Sequence, residues 1–580
     1  MARTVADQLV DTLLEAGINR LYAVTGDSLN HVNDAVRRTD GRFQWIHVRH
    51  EETGAYAAAA EAELNGIACC AGSSGPGHVH LINGLYDAHR SGASVIAIAS
   101  TIESHQYGTG YFQETNTLKL FDDCSGYNQI AFTPVQFTRM LQSALQHTWY
   151  QKQVAVLGLP GDLTTQEADE GPTSLYLLKS KARLVPDDSE IRQLADLING
   201  AEKITLFCGL GARDAHAEFV QLSQRVKAPV GYSFRGKMST QYNNPNEVGM
   251  NGLLGIPSGL KSMEEAELLI LLGTDFPYEQ FMPKDIKIVQ IDVRPERIGR
   301  RGKIELGLAG DIKATLEALL PLVAEKTDDS FLQTQLAFYR KCQERLLSYA
   351  EDKGERDRIA PEFVAHTIDQ LAAPNAIFTV DTGMSCVWAA RYLHATGQRD
   401  MLGSFNHGSM ANAMPQAIGA ALARPGQQVI AFCGDGGLSM LLGDLATIVQ
   451  YKLPIKIVVF NNHSLGMVKL EMQVAGLPDW QTDMVNPDFA KIAEAFGMRG
   501  INVHEPGDVP GALQDAFNYD GPVLVNIFTN PDALAMPPEI EFKQVKGYLM
   551  SMGKLVLSGR MDEVMDQVKT NLKHVKDAFL

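Results

Sequence analysis

The sequence predicts an α/β protein with three doubly wound parallel-sheet domains, followed by an amphipathic C-terminal helical tail. The chain has 580 residues, which is too long for one hydrophobic core and indicates about three domains. Short apolar runs, each typical of a buried strand, alternate with segments of helical periodicity along most of the chain. Such alternation is typical of parallel sheets that carry helices on both faces.

Composition and charge limit the classes of function. Acidic residues outnumber basic ones by 68 to 51, so the formal charge is −17. A protein this acidic is a poor candidate for general nucleic-acid binding, because the phosphate backbone would repel it. No apolar run reaches the roughly 18 residues that would predict a transmembrane helix.

Two further features indicate a cytoplasmic protein. Residues 1–16 combine charges with an amphipathic pattern, which predicts the first helix of a domain rather than a signal peptide. The seven cysteines lie mostly in apolar stretches, and none belongs to a Cys-x-x-Cys pair. We interpret them as reduced, buried thiols.

Residues 1–180 form the first predicted domain. Its strands are expected at 21–24, 45–48, 67–71, 95–99 and 154–159. An alanine-rich helix is expected at 53–64, just after Glu51, which stands at the end of the second strand. A charged residue that begins a helix can serve simply as a partner of the helix dipole, so position alone leaves the role of Glu51 open.

Residues 181–335 form the second predicted domain, after a polar linker at about 165–188. Its strands are expected at 204–208, 229–232, 268–272 and 286–292. Gly209 and Gly211 follow the first of these strands and open a helix. This is a weak dinucleotide-binding signal, because the glycine fingerprint is incomplete. A charged connector, about 322–358, leads out of the domain.

Residues 336–530 form the third predicted domain, with strands at 376–380, 428–433, 455–460 and 523–527. Gly434-Asp435-Gly436 follows the second strand and Asn461-Asn462 follows the third. The segment between them, 437–460, begins with apolar residues at helical spacing. We therefore expect a strand–helix–strand unit that brings a carboxylate and an amide to the same edge of a parallel sheet.

This pair of motifs predicts a metal site. Alone, Gly-Asp-Gly or Asn-Asn is more often an ordinary turn, but their spacing after two strands favours a shared function. Hard divalent cations prefer oxygen ligands and commonly retain substrate phosphates. The glycines beside Asp435 would let a diphosphate approach the backbone and the start of the following helix.

The paired motif resembles the thiamine-diphosphate motif of the pyruvate oxidase, acetolactate synthase and pyruvate decarboxylase superfamily. The resemblance implies that Mg²⁺ is bound by the side chains of Asp435 and Asn462 and by the backbone carbonyl of Ser464. Residues 49–52, 72–77, 83–87 and 108–114 are also similar to the first domain of pyruvate oxidases. Over about 1–570 the chain resembles the quinone-reducing pyruvate oxidase family, which implies a pyrimidine-binding, an FAD-binding and a diphosphate-binding domain in that order.

The resemblance also assigns residues to roles. Glu51 would activate the cofactor, and Phe112 with Gln113 would line the substrate space. Met467 and Glu471 belong to a loop over the active site, where relatives commonly carry an aromatic residue at the position of Met467. The residues implied for thiamine diphosphate are Asp381, Thr382, Gly383, Gly408, Ser409, Met410, Gly434, Asp435, Gly436, Gly437, Asn462, Leu465 and Gly466. Those implied for FAD are Gly209, Gly211, Arg235, Gly252, Leu253, Leu254, Gly255, Thr274, Asp275, Phe276, Pro277, Tyr278, Asp292 and Asp311.

Residues 531–580 form the predicted tail. From residue 549 onward its apolar residues have helical spacing, and basic residues lie on the other face. Such a helix can pack on its own protein or a neighbouring subunit, or it can lie in a membrane interface. The tail resembles that of quinone-dependent pyruvate dehydrogenases, which favours a membrane surface as its partner.

The resemblance implies oxidative decarboxylation of pyruvate to acetate and CO₂, with electrons passed through FAD to ubiquinone. It also implies at least a dimer, commonly a homotetramer, and a cytoplasmic protein peripheral to the inner face of the cell membrane. Acetolactate synthase, which keeps its FAD redox-silent, and a phosphate-dependent oxidase making acetyl phosphate and H₂O₂ remain alternatives. A catalytically inactive regulatory or scaffold protein is a further alternative, which intact Glu51, Asp435 and Asn462 disfavour.

Overall fold

The computed structural model describes residues 2–169, 171, 182–533, 550–552, 554, 565 and 567. It contains three six-stranded sheets in which all neighbouring strands are parallel. The predicted α/β class with three doubly wound domains is confirmed. The three sheets fall within the three predicted domains, whose boundaries stay a prediction.

The first sheet has the strand order β2-β1-β3-β4-β6-β5. Its strands are β1 (Arg20–Ala23), β2 (Gln44–His47), β3 (Ala68–Gly72), β4 (Val95–Thr101), β5 (Tyr127–Ile130) and β6 (Ala155–Pro160). Its helices are α1 (Val5–Glu15), α2 (Asn30–Arg38), α3 (Glu51–Asn65), α4 (Pro76–Ser91), α5 (Thr117–Leu120) and α6 (Pro134–Gln151). The central strands β3 and β4 are fully buried, because helices cover both faces of the sheet.

The second sheet has the order β12-β11-β10-β7-β8-β9. Its strands are β7 (Ile204–Cys208), β8 (Val230–Tyr232), β9 (Glu247–Met250), β10 (Leu268–Leu272), β11 (Lys287–Asp292) and β12 (Leu306–Ala309). Its helices are α7 (Asp188–Gly200), α8 (His216–Val226), α9 (Lys237–Thr240), α10 (Pro257–Glu264) and α11 (Ile312–Leu319). Counted within the domain, this is the strand order 3-2-1-4-5-6 that is typical of dinucleotide-binding sheets.

Along the chain, the second sheet is followed by a long helix, α12 (Ser330–Ala350), and a small antiparallel hairpin of β13 (Gly354–Glu355) and β14 (Arg358–Ile359). The third sheet consists of β15 (Ile377–Val380), β16 (Asp400–Gly403), β17 (Val429–Gly434), β18 (Lys456–Asn461), β19 (Arg499–Val503) and β20 (Val523–Phe528). Its helices are α13 (Pro361–Leu371), α14 (Met384–Tyr392), α15 (Ala413–Ala423), α16 (Asp435–Met440), α17 (Leu445–Gln450), α18 (Gly466–Val474), α19 (Phe489–Phe496) and α20 (Val509–Asn518).

The third sheet has the order β16-β15-β17-β18-β20-β19, which repeats the topology of the first sheet. The two domains are joined by α3 and α15, whose small residues let the helices pack closely. In α3 the run Ala55–Ala60 is buried on every side, with α4 and α15 against it. The first and third domains thus share one hydrophobic core in a single chain.

Two local predictions need correction. The predicted connector at 322–358 contains the 21-residue helix α12. The segment after Asp435 holds two short helices, α16 and α17, instead of one continuous helix. Glycines at 436, 437 and 443 weaken the helix there, because glycine is a poor helix former.

Most of the predicted C-terminal tail lies outside the described residues. Where it is described, Ser551 Oγ donates a 2.8 Å hydrogen bond to the Leu477 carbonyl and Lys554 Nζ a 2.7 Å bond to that of Gly476, just beyond α18. Among the helices that the structure describes, none is both long enough and apolar enough to cross a lipid bilayer. The seven cysteines, all within the described residues, are buried free thiols.

Candidate active site

The third sheet brings the predicted metal ligands to one edge. β17 and β18 are parallel neighbours, with Asp435 directly after β17 and Asn462 directly after β18. Asp435 is 3% exposed, and its Oδ2 accepts a 2.7 Å hydrogen bond from Asn486 Nδ2. The backbone N–H of His463 also faces this carboxylate, although burial raises the pKa of Asp435 overall. The Asp435 carboxylate therefore lies against the backbone that carries Asn462.

The remaining residues predicted to bind thiamine diphosphate follow neighbouring strands of the same sheet. Asp381, Thr382 and Gly383 follow β15, and the segment Gly408–Met410 follows β16. Because the strand order is β16-β15-β17-β18, four adjacent carboxyl ends supply the predicted site. The structure thus brings these sequence-distant segments together, as expected for ligand sites in parallel sheets.

The glycines after Asp435 are required by close packing. A Cβ on Gly437 would lie 2.2 Å from Asp381 Oδ2. A Cβ on Gly436 would lie 3.0 Å from both Leu465 Cδ2 and Met410 Cε. Side chains from three different segments therefore pack against the backbone of these two glycines, an approach that only residues without a side chain permit.

Two buried oxygen atoms at this corner lack hydrogen-bond partners, which suits a bound cation such as Mg²⁺. Among the described residues, Asp381 Oδ2 and Ser464 Oγ are buried without a hydrogen-bond partner. Burial raises the pKa of Asp381 to about 7. Asn462 Oδ1, a predicted Mg²⁺ ligand, accepts a 3.1 Å hydrogen bond from the Ser464 N–H.

The Mg²⁺ ligands predicted from the sequence are one carboxylate, that of Asp435, one amide oxygen, that of Asn462, and the backbone carbonyl of Ser464. No cluster of three or more His, Cys, Asp or Glu side chains able to bind a metal occurs in the part of the chain that the structure describes. A site with a single carboxylate suits Mg²⁺, which is usually completed by phosphate oxygens and water.

Glu51 is the first residue of α3 and is 6% exposed. Its Oε2 lies 2.9 Å from His80 Nδ1, and His80 stacks on His50 with ring centroids 4.3 Å apart. A Cβ on Gly77 would lie 3.0 Å from Glu51 Oε1. The carboxylate is therefore held in a fixed position between the His80 imidazole and Gly77, in the first turn of α4.

Phe112 and Gln113 lie on a loop that is attached to the turn just before α4. Ser74 Oγ donates a 2.8 Å hydrogen bond to the Gln113 carbonyl, and Gln113 has a positive φ of 63°. Phe112 is 76% exposed. An apolar side chain this exposed, next to the constrained backbone of Gln113, is available to a ligand or a second subunit.

Met467 and Glu471 lie on α18, four residues apart and hence on one face of the helix. The Leu465 N–H donates to the Thr482 carbonyl at 2.8 Å, which fixes the start of this helix beside the metal corner. Glu471 is exposed and Met467 is half-buried. Both residues are therefore placed on the segment that follows Asn462.

The residues predicted to bind FAD gather at the carboxyl edge of the second sheet. Gly209 and Gly211 follow β7, the segment Gly252–Gly255 follows β9, and Thr274–Tyr278 follows β10. A Cβ on Gly252 would lie 3.2 Å from the rings of Phe276 and Tyr278, so these loops meet. The crevice between β7 and β10 is the switch point of this strand order, where dinucleotides bind in such sheets.

Acidic residues at this edge have different surroundings. Asp292 ends β11, is 5% exposed, and has its pKa raised by burial. A buried carboxylate after such a strand suits a ribose hydroxyl. Asp275 forms ion pairs with Arg300 and Arg301, at 3.1 and 3.4 Å. Asp311 caps α11, accepting from the Ala314 N–H at 2.9 Å.

Arg235 is directed away from the other predicted FAD residues. Its guanidinium donates a 2.9 Å hydrogen bond to the Ser91 carbonyl and lies 3.6 Å from Glu63, both on the first domain. The structure therefore places Arg235 at the contact between the first and second domains.

Glu51 and its neighbour Glu52 face different parts of the molecule. Glu52 Oε1 accepts a 2.8 Å hydrogen bond from Asn83 Nδ2, which also donates to Ser409 Oγ at 3.1 Å. Asn83 Oδ1 lies 2.9 Å from His407 Nε2. Glu52 thus points toward the third domain of its own chain, whereas the contacts of Glu51 with His80 and Gly77 stay within the first domain.

Several residues at the site were not identified from the sequence. His80 contacts Glu51, Ser74 supports Gln113, and Asn486 contacts Asp435. Each acts across a gap of 29 to 51 residues, which local motifs do not reveal. One sequence signal was available near Asn486. Asn526, which is linked to Asn486 through Asn461, interrupts an otherwise apolar strand.

Comparison with known proteins divides the chain into three matched regions. Residues 3–120 match the thiamine pyrophosphate enzyme N-terminal TPP binding domain, and residues 191–319 match the central domain of these enzymes. Residues 381–527 match the C-terminal TPP binding domain. Thiamine pyrophosphate is the same molecule as thiamine diphosphate, and the first and third matches lie on the two domains whose sheets have equal topology.

Similar whole proteins are also found. A putative thiamine pyrophosphate-containing protein of Bacillus subtilis is 34% identical, covering 99% of this chain and all of the relative. A pyruvate oxidase of Lactiplantibacillus plantarum is 31% identical, covering 91% of this chain and 89% of the relative. A probable acetolactate synthase large subunit of Methanococcus aeolicus is 27% identical, covering 92% of this chain and 93% of the relative.

Proposed function

Since the chain belongs to the thiamine pyrophosphate enzyme family, we propose that it oxidatively decarboxylates pyruvate to acetate and CO₂, using FAD to pass the electrons to ubiquinone. The observation that carries this proposal is the corner where Asp435 lies against the Asn462 backbone, beside Gly436 and Gly437 at the start of α16. The similarity to a pyruvate oxidase supports pyruvate as substrate.

Each polar residue of the corner has a task in this proposal. Asp435, Asn462 and the Ser464 carbonyl would hold Mg²⁺, and the bare backbone of Gly436 and Gly437 would accept the diphosphate. Thiamine diphosphate supplies a nucleophilic carbon and an electron sink for the departure of CO₂. Glu51 would share a proton with the far nitrogen of the cofactor's pyrimidine ring. A pocket that excludes water strengthens this contact.

The second sheet supports a flavin in this proposal. Its strand order, the contact of Gly252 with Phe276 and Tyr278, and the buried Asp292 all suit a dinucleotide. FAD supplies a two-electron acceptor that passes electrons on to the quinone. We propose that these residues bind and orient it.

The site is proposed to form between two copies of the chain. Glu51 contacts His80 and Gly77 of the first domain, whereas Asn83, the partner of Glu52, contacts Ser409 of the third domain in the same chain. Phe112, Trp480 and Val485 are 76, 76 and 103% exposed, which leaves apolar surface for a second subunit. A dimer is therefore the smallest active unit we propose, and a tetramer would pair two such dimers.

The tail pattern, predicted from sequence, supports docking of the protein on a membrane surface where quinone is found. A basic and apolar amphipathic segment of this kind binds anionic lipid through both burial and charge. We propose that the protein is cytoplasmic and binds the inner face of the cell membrane by residues after about 550.

The reaction is tested with purified protein and pyruvate under anaerobic conditions. We expect the visible absorption of oxidised flavin to bleach and acetate to appear without phosphate. A flavin that stays oxidised while acetolactate accumulates would contradict the proposal and identify an acetolactate synthase. Acetyl phosphate and peroxide, formed only with phosphate and oxygen, would identify the phosphate-dependent oxidase.

The control variants are Glu51→Gln and Asp435→Asn. Each removes a carboxylate with little change of volume, so both should abolish bleaching by pyruvate while the bound flavin spectrum persists. A protein that releases no CO₂ from pyruvate at all would support a regulatory or scaffold role.

A further inference from the structure

A row of four asparagine side chains crosses the third sheet beside the proposed metal corner. We call Asn486, Asn461, Asn526 and Asn502 the asparagine ladder. Asn461 ends β18, Asn526 lies in β20 and Asn502 in β19, which are successive strands of the sheet. Asn461 and Asn526 are 1 and 0% exposed.

The ladder is hydrogen-bonded in one direction. Asn461 Nδ2 donates to Asn526 Oδ1 at 3.0 Å, and Asn526 Nδ2 donates to Asn502 Oδ1 at 2.8 Å. Asn502 Nδ2 then donates to Asp488 Oδ1 at 2.9 Å. At the other end Asn486 Nδ2 donates both to Asn461 Oδ1, at 2.8 Å, and to Asp435 Oδ2, at 2.7 Å.

A carboxylate at each end fixes the orientation of every amide. An ionised carboxylate accepts hydrogen bonds only, so both Asp435 and Asp488 require a donor. A series of amides between two acceptors needs one member that donates in both directions, and Asn486 does so with its two N–H groups. Reversing any one amide would place two acceptors or two donors face to face.

The two ends of the ladder are also joined by the polypeptide chain. Asn486 and Asp488 are separated only by Pro487, so both ends of the ladder hold one short segment. Asp488 in turn accepts from the Lys491 N–H at 3.1 Å and caps α19. The position of Asn486 over Asp435 is thus determined by hydrogen bonds that extend across three strands.

We propose that the asparagine ladder positions Asp435 for the divalent cation and so sets the affinity of the site for it. This inference rests on the proposed function, which places Mg²⁺ at Asp435. By hydrogen-bonding Oδ2, Asn486 fixes the rotation of the carboxylate. Asn461 holds Asn486, and Asn526 with Asn502 hold Asn461 and the Asn486–Asp488 segment. All four are positioning residues that need not touch the metal.

The test uses Mn²⁺ in place of Mg²⁺, because bound and free Mn²⁺ differ in their electron paramagnetic resonance signals. Full-length protein freed of metal is titrated with Mn²⁺ at saturating thiamine diphosphate. For Asn526→Ala and Asn502→Ala we expect the Kd for Mn²⁺ to rise by about 10- to 100-fold, as for other residues that orient metal ligands. Asn518→Ala, an exposed asparagine at the end of α20, is the matched control and should bind like the wild type.

The outcomes separate this inference from the proposed function. If the wild type binds no Mn²⁺, the proposed metal corner itself is wrong. If the wild type binds Mn²⁺ and both ladder variants bind it equally well, the positioning role is refuted even if their unfolding temperatures fall. Asn502 is exposed and lies at the far end of the ladder, so its variant should remain folded should the buried Asn526→Ala fail to fold.

Discussion

Gly419 of α15 lies so close to Ala57 of α3 that a Cβ on Gly419 would be 2.0 Å from the Ala57 carbonyl oxygen. A backbone oxygen within a helix does not move aside as a flexible side chain does. The contact joins the first and third domains, so the glycine sets the distance between them within one chain.

We expect Gly419→Ala to lower stability by about 1–3 kcal/mol, the usual cost of overpacking a core. Gly511→Ala is the matched control. Gly511 lies in α20 with open space around it, so alanine there should be neutral or stabilising by up to about 1 kcal/mol. Thermal unfolding of both variants measures the difference, and equal midpoints would contradict the close-packing argument.

A buried carboxylate also links these two domains. Thr53 Oγ1 of α3 donates a 2.7 Å hydrogen bond to Asp444 Oδ2, while Asp444 Oδ1 accepts from the Arg49 N–H at 2.7 Å. Thr53→Val keeps the shape but leaves Oδ2 without this donor, so we expect a loss of about 2–3 kcal/mol. Thr53→Ser keeps the hydroxyl and should lose about 1 kcal/mol, for the missing methyl. If denaturant unfolding gives the serine variant a lower free energy of unfolding than the valine variant, this role is refuted.

The sequence predicted the interior strands well and the edge strands poorly. β7 and β10 lie where their apolar runs predicted them, because both faces of these strands are buried. The strands β5, β12 and β19, which the apolar runs did not reveal, are edge strands whose residues are largely half-buried. An edge strand needs few apolar residues, so its pairing depends on the neighbouring strand more than on its own sequence.

The candidate site divides in the same way. Asp435 and Asn462 were found because each follows an apolar strand directly, and strand ends of a parallel sheet meet. Asn486, His80 and Ser74 were not found, because their partners are brought near by tertiary packing. The direction of Arg235 toward Ser91 was equally hidden, since it depends on how the first and second domains pack.

The buried carboxyl of Asp87 predicts a pH dependence of stability. It is 1% exposed, accepts from Gln416 Nε2 at 3.1 Å, and lies near Ser404, Glu63 and Arg235 where the three domains meet. Burial raises its pKa to about 7, whereas an unfolded aspartate has about 3.9. The folded state therefore binds the proton more tightly, and stability falls as pH rises between these two values.

Asp87→Asn removes this titration and keeps an oxygen for Gln416. Between pH 5 and pH 8 the wild type loses about 3 kcal/mol through this group, because the range covers about two of the roughly three pH units between the two pKa values. The variant should therefore gain about that much stability relative to the wild type over this range. Unfolding midpoints of both proteins across this range provide the measurement. Parallel curves would show that Asp87 does not titrate there.

The tail proposal predicts that a chain ending at Lys554 loses membrane binding. This truncation retains the hydrogen bonds of Ser551 and Lys554 to the Leu477 and Gly476 carbonyls, so the end of α18 keeps these contacts. We expect turnover with a soluble electron acceptor to persist and sedimentation with anionic vesicles to disappear. Vesicles of neutral lipid are the control, and undiminished binding by the truncated chain would refute a membrane role for the tail.

The carboxylate of Glu114 organises the loop that carries Phe112 and Gln113. It accepts hydrogen bonds from the backbone N–H groups of Gly108, Gly110 and Tyr111, at 2.6, 2.7 and 3.2 Å. The Gly108 bond makes the largest contribution to lowering its pKa. Since the folded pKa is depressed, the stabilisation is present above the ordinary value of about 4.3 and is lost as pH falls below it.

We expect Glu114→Gln to increase hydrogen exchange at these three amides severalfold at neutral pH, because a neutral amide oxygen accepts them more weakly. It should also raise the KM for pyruvate more than it lowers kcat, since the loop positions substrate-facing residues rather than moving protons. Glu103→Gln, nearby but outside these bonds, is the control. When the pH is lowered below about 4, protection of these amides in the wild type should decrease, after correction for intrinsic exchange, whereas protection in the variant should not change. If the variant keeps full protection at neutral pH, the loop is held by Ser74 and the His78–Thr115 contact alone.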